Sequence, residues 1–199
     1  VHELRSNADW RWSDGPLTFS HIYAGEDYDA RREQRGWNAP GFDAASWKPV
    51  EVVTPPGAAI SRYDGPLFQA FEVFTPTDIR NPQPGEYTYV FPQNASVLIR
   101  FTIEGDAGRT VRMKPCEYMD STGAVKFTYT WGTKKDIWHD YTLRGGGPES
   151  HQILFCYEGA QYVGVTGAVP AGRPNPDNLP VIRSIELVHV RTANAVAGT

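Results

Sequence analysis

The span His21-Ile-Tyr-Ala-Gly-Glu-Asp-Tyr-Asp-Ala-Arg31 gathers three carboxylates (Glu26, Asp27, Asp29), two tyrosines (Tyr23, Tyr28) and an arginine. Gly36-Trp37-Asn38, Gly41-Phe42-Asp43 and Ser46-Trp47 follow closely. Two chemistries suit that mixture. Carboxylate oxygens suit Ca²⁺, which takes about six to eight hard ligands at roughly 2.3–2.6 Å. The candidate ligands are Glu26, Asp27, Asp29 and the more distant Asp43, with backbone carbonyls completing the shell, although the D-x-D-x-D-G spacing of an EF-hand is absent. The rings of Tyr23, Tyr28 and Trp37 suit stacking on the apolar face of a sugar, with Glu26, Arg31 and Asn38 as hydrogen-bonding neighbours. A structural reading stands beside these. The acids would cap a short helix beginning near Asp27 and pair with Arg31, Arg32 or Arg35, while the rings pack beneath the loop.

No residue is assigned a catalytic role. Glycoside cleavage needs two carboxylates about 5–10 Å apart across a cleft, and spacing singles out no such pair among the 23 acidic residues. Nucleophile-elbow, phosphate-loop and dinucleotide fingerprints are missing. The histidines lack the close pairing of a zinc site. The chain is therefore read as non-enzymatic by itself, a small glycosidase or lyase being the more remote alternative.

The elements that must position these residues read as strands. With 16 Pro and 19 Gly spread throughout, few windows hold more than two helical turns. Strand patterns cover residues 67–74, 86–91, 96–104, 109–114, 126–130, 138–143, 152–157, 162–166 and 181–191. Gly105-Asp106-Ala107-Gly108 reads as the turn of a hairpin between 96–104 and 109–114. Short helical turns are expected around Asp29–Arg35 and Asp43–Trp47. The fold class is all-β: an antiparallel β-sandwich or jelly roll with short helical turns. The expected organisation is one carbohydrate-binding domain over 1–199, with an N-terminal subsegment 1–50 and a Pro/Gly-rich linker 51–66. Trp131 and Trp138 flank Gly132–Asp136, either a mobile polar loop or an ordinary hairpin. Cys116 and Cys156 are either buried thiols or one bridge.

Bulk properties narrow the partners. A net charge of −4 with mixed signs leaves no nucleic-acid footprint. No run approaches the 18 or so apolar residues of a membrane span. Val1–Arg5 does not read as a signal peptide, so any leader is expected to be removed or outside this sequence.

Ordered landmarks resemble the non-catalytic β-sandwich region upstream of the catalytic barrel in α-L-rhamnosidases of glycoside hydrolase family 78. Residues 21–47 are similar to an IY-x-GE-x-YDAR…GW…FD…W string. Gly85-Glu-Tyr-Thr-Tyr-Val-Phe-Pro-Gln-Asn94 resembles G-x-Y-x-Y-D-F-G-Q-N, and Glu117–Gly123 resembles E-x-L-D-x-x-G. Asp140–Gly147 is similar to D-x-Y-T-L-x-G-G, and Tyr157–Val165 to Y-H-G-F-R-Y-V-E-V. The departures are Val90, Pro92, Glu158, Ala160 and Gln161, and no counterpart of the catalytic barrel is present. The resemblance implies a secreted, extracellular or periplasmic module that recognises L-rhamnose or rhamnose-capped glycans, with Ca²⁺ as the candidate cofactor. It equally implies an accessory domain whose partner is a catalytic domain in a longer parent protein.

Overall fold

A computed structural model describes residues 5–125 and 135–193. The strand expected over 126–130 and Trp131 lie outside the described residues. Two compact units divide the chain: residues 1–15 with 32–65, and residues 16–31 with 66–199.

The first unit carries a two-stranded antiparallel sheet of β1 (Arg11–Trp12) and β4 (Lys48–Pro49). Side chains knit it together. Trp47 Nε1 donates to Gln34 Oε1 at 2.7 Å, Gln34 Nε2 donates to Ser13 Oγ at 2.7 Å, and the Lys48 ammonium sits 4.6 Å from the Trp12 ring centre.

The second unit is one large, mostly antiparallel sheet built over a single core. Its strands are β2 (Leu17–His21), β3 (Gly25–Asp29), β5 (Phe68–Phe74), β6 (Asp78–Gln83), β7 (Glu86–Glu104), β8 (Thr110–Cys116), β9 (His139–Thr142), β10 (Glu149–Gln152), β11 (Glu158–Thr166), β12 (Val169–Pro170) and β13 (Val181–Thr192). The order is β12-β13-β7-β11-β8-β9-β3-β2, with β5 beside β13 and both β6 and β10 beside β7. Among the described residues only β12–β13 and β3–β9 pair in parallel. β7 is the spine: its first half pairs with β6 and β11, its second with β10 and β13.

Period-two burial builds the core. Val97, Ile99, Phe101 and Ile103 of β7 point inward with Val111 and Met113 of β8, Tyr141 of β9 and Val163 and Val165 of β11. Burying one such side chain contributes about 1.5–3 kcal/mol, whereas an exposed ion pair such as Arg183–Glu104 is worth about 0–1 kcal/mol. The apolar interior therefore decides stability. Cys116 and Cys156 are buried free thiols, donating to the carbonyls of Tyr118 and His21.

Five local expectations are corrected. Strands β7 and β8 follow one another but do not form a hairpin; β8 pairs with β11 and β9. Both strands bear apolar stripes that fill one core, so the Gly105–Gly108 turn carries the chain to a different partner, and Gly108 N donates to Leu143 O. The runs 86–91 and 96–104 are a single strand, because Pro92 lies in a short exposed interval where ladder pairing to β11 still resumes on either side. The helix expected around Asp29–Arg35 is reduced to one 3-10 turn, Ala30–Arg32, since Glu26–Asp29 is already committed to β3; 43–47 is an irregular turn capped by Asp43. The strand expected at 152–157 lies earlier, at Glu149–Gln152, and the following residues leave the sheet to receive Glu26.

Candidate functional site

The acid–aromatic span forms the antiparallel pair β2–β3, and the pleat sends its acids in different directions. Glu26 points inward and is 1% exposed. Its carboxylate accepts from Leu154 N at 3.2 Å and Phe155 N at 3.0 Å, and faces His151 Nε2 at 3.4 Å. Burial pushes the Glu26 carboxyl up, but the hydrogen bonds from His151, Phe155 and Leu154 outweigh it and leave the group below its ordinary value. Asp27, one residue on, faces outward and pairs with Lys135 Nζ at 2.7 Å. That ammonium also lies over the Phe19 ring. Asp29 receives both arms of Arg31, at 2.9 and 2.8 Å, and caps the Arg31 N–H.

The rings divide similarly. Tyr28 stacks on Tyr141 at 5.7 Å between centroids and lies against His151 at 4.1 Å, as part of the core margin. Tyr23 is exposed beside His21. Trp37 is 62% exposed and Asn38 is exposed on a turn of the first unit, where Asp43 also lies, its Oδ1 accepting from Ala45 N. Tyr23, Glu26, Asp27, Tyr28, Asp29 and Arg31 are thus brought together by β2–β3 in the second unit, while Trp37, Asn38 and Asp43 belong to the first. Among the described residues no group of three or more His, Cys, Asp or Glu side chains is arranged to hold a metal ion. Each carboxylate of the span has instead taken a cation or a backbone N–H as partner.

Sequence reasoning missed the polar residues buried beneath this pair. His139, fully buried on β9, accepts at Nδ1 from Glu26 N at 3.1 Å. Glu149 accepts from the Tyr141 hydroxyl at 3.0 Å and from the backbone N–H groups of Arg144 and Gly145 at 3.0 and 2.8 Å. Glu158 lies close to His139. The Cys156 thiol is raised to about 11 by burial and by the charges of Glu158 and Glu26. The one available signal was period-two placement: His139 and Tyr141 alternate with Asp140, which pairs outward with Arg112.

Beside this polar layer the surface is apolar. Ile22, Tyr23, Phe68, Leu154, Phe155 (64% exposed) and Tyr157 (55% exposed) are open, with the Phe68 and Tyr157 rings 4.9 Å apart.

Similarity to known proteins places this geometry. Residues 1–71 match the α-L-rhamnosidase N-terminal domain, and residues 80–186 match the bacterial α-L-rhamnosidase concanavalin-like domain. An α-L-rhamnosidase of Streptomyces avermitilis is 35% identical over 82% of this chain and 16% of its own length. One from Formosa agariphila is 25% identical over 90% of this chain and 19% of its own. Among solved structures, the α-L-rhamnosidase from Dictyoglumus thermophilum superposes with a TM-score of 0.80 at 29% identity, covering 94% of this chain and 20% of that one. The Streptomyces avermitilis α-L-rhamnosidase complexed with L-rhamnose superposes with a TM-score of 0.78 at 31% identity, over 94% and 17% of the two chains. The chain thus spans less than a fifth of the length of these curated relatives, and it belongs to the family of bacterial α-L-rhamnosidase concanavalin-like domains, with the N-terminal domain of those enzymes ahead of it.

Proposed function

We propose that this chain is a non-catalytic accessory region of a longer α-L-rhamnosidase, a β-sandwich scaffold against which the catalytic region rests. The observation that carries this reading is the exposed apolar surface formed by Ile22, Tyr23, Phe68, Leu154, Phe155 and Tyr157. Contiguous apolar surface rimmed by polar groups marks an interaction site on a soluble protein, and aromatic residues are enriched at interface centres. The segment bearing Leu154 and Phe155 is held rigidly for the purpose, since both of their N–H groups are anchored on Glu26.

Hydrogen–deuterium exchange of this chain alone and of the longer enzyme tests the reading. Amides of 22–23 and 154–158 are expected to exchange at least tenfold more slowly in the longer enzyme. Equal exchange in both overturns the accessory reading.

Carbohydrate recognition is the second reading, favoured by the open Trp37 ring with Asn38 beside it. Titration calorimetry with L-rhamnose, with and without EDTA, is the measurement. Heat that disappears with chelator supports calcium-dependent binding, heat that persists supports metal-free binding, and silence in both removes this reading.

A further inference from the structure

Strand β5 (Phe68–Phe74) forms one margin of the large sheet: among the described residues it pairs with β13 and with no other strand. Its far side therefore offers a row of backbone N–H and C=O groups to whatever adjoins it. An edge strand in a two-layered β fold ordinarily buries one face. Here six of the seven residues are exposed. The apolar side chains among them lie on both faces. Phe68 and Val73 stand opposite Thr192 and Val188 of β13, on one face, whereas a bulge after Ala70 turns Phe71 onto the other, against His189 and Arg191. All three are between 42% and 49% exposed. Beyond that bulge the usual defences of an edge are thin. No lysine or proline interrupts Phe68–Phe74, and its one charge, Glu72, lies 3.6 Å from His189.

A free strand edge with apolar surface above and below it fits an occupant that straddles the edge. We propose that β5 accepts an added β-strand, an extended apolar segment of the longer polypeptide that continues the sheet beyond this chain. Main-chain hydrogen bonds would fix that segment along β5. Its alternating side chains would cover Phe68 and Val73 on one face and Phe71 on the other. A helix has no main-chain groups left to pair along its length, and a sugar cannot cover both faces at once. Two observations select the longer polypeptide as the source. The Phe68 ring lies 4.9 Å from that of Tyr157, so the free edge adjoins the Ile22–Tyr157 docking surface and one partner can cover both. This chain also matches only 16% and 19% of the lengths of two curated relatives, so most of each lies outside it. This inference deepens the accessory reading and rests on it.

The test is residue-resolved hydrogen–deuterium exchange of β5, in this chain and in the longer enzyme. In this chain the amides of 68–74 that donate to β13 are expected to exchange slowly and the intervening ones fast. In the longer enzyme the intervening amides should slow about a hundredfold or more, to the level of their bonded neighbours. That pattern separates strand pairing from simple coverage, which leaves the outward N–H groups unbonded. Val73→Lys places a charge on the edge and is expected to speed those amides about tenfold in the longer enzyme, with the unfolding midpoint of the isolated chain unchanged. Should that midpoint fall, the wild-type exchange pattern decides alone. Intervening amides that stay fast in the longer enzyme overturn the added strand. Protection already present in the isolated chain overturns it too, and a dimer's mass by sedimentation then makes a second copy the occupant. If 22–23 and 154–158 slow while β5 does not, the accessory reading survives and only the strand is wrong. If β5 slows while they do not, the docking surface is wrong instead; if none slows, both fall.

Discussion

Glu26 shows how a residue type that suggests a ligand site serves as an internal strut. Its carboxylate closes the segment after β10 by accepting two consecutive backbone N–H groups, the work usually left to a main-chain carbonyl. Replacing it with Gln keeps the volume and leaves a carbonyl oxygen for Leu154 and Phe155, but removes the charge from both hydrogen bonds and sets an amide nitrogen in place of Oε1 opposite His151. Glu26→Gln is expected to lower stability by about 1–3 kcal/mol, the cost of replacing charge-assisted hydrogen bonds to buried donors by neutral ones, read as a shift in urea midpoint at pH 7. The pH dependence follows from the lowered carboxyl. A group depressed in the folded state adds stability above its unfolded value and loses it as pH falls through the folded one. Wild type should therefore lose more stability than Glu26→Gln between pH 7 and pH 3, and parallel losses would contradict this role. In the sequence, the three acids of the span were legible as a dense polar cluster and Arg31 as a pairing partner, which Asp29 takes, but the partners of Glu26 and Asp27 were not. Lys135 lies 108 residues from Asp27, and Leu154 lies 128 residues from Glu26. Only the folded sheet reveals that those carboxylates are already engaged.

At the scale of elements, the β2–β3 turn depends on Gly25. Its φ of 89° lies in the left-handed region, and a Cβ there would run into the carbonyl of Trp138. Strain and close approach act together. Gly25→Ala should cost about 2 kcal/mol or more, seen as a lowered thermal midpoint with strand circular dichroism retained below it. Alternation revealed β7, β8, β11 and β13 because their inward positions are apolar and their outward positions polar, whereas β5 was read from its aromatic and branched residues and is exposed along nearly all its length. β3 escaped notice because its inward residue is an acid, so the stretch reads as polar on both faces. Pairing was harder still. Two adjacent alternating runs joined by Gly-Asp-Ala-Gly look like a hairpin from local pattern alone, yet β8 finds β11 and β9, which arrive dozens of residues later.

Across the whole molecule, two units interleave along the sequence: one is built from 1–15 and 32–65, the other from 16–31 and 66–199. The all-β class and the family were legible, since strand composition and five ordered motifs extend through most of the chain. The division was not, because a proline-rich boundary near residue 66 marks only one of the three crossings between units. The Ile22–Tyr157 surface was also hidden, being assembled from positions that look like ordinary strand-edge aromatics until exposure is known. Pairing of β3 with β9 has one more implication, for synthesis on the ribosome. Residues 25–29 are translated more than a hundred codons before their neighbours at 139–142. At about 5–20 residues per second, the nascent β2–β3 ribbon waits on the order of 5–20 s with one flank unprotected, and a two-stranded ribbon alone is barely stable. Throughout that interval it is a target for chaperones and for misassembly with neighbouring polysomal chains.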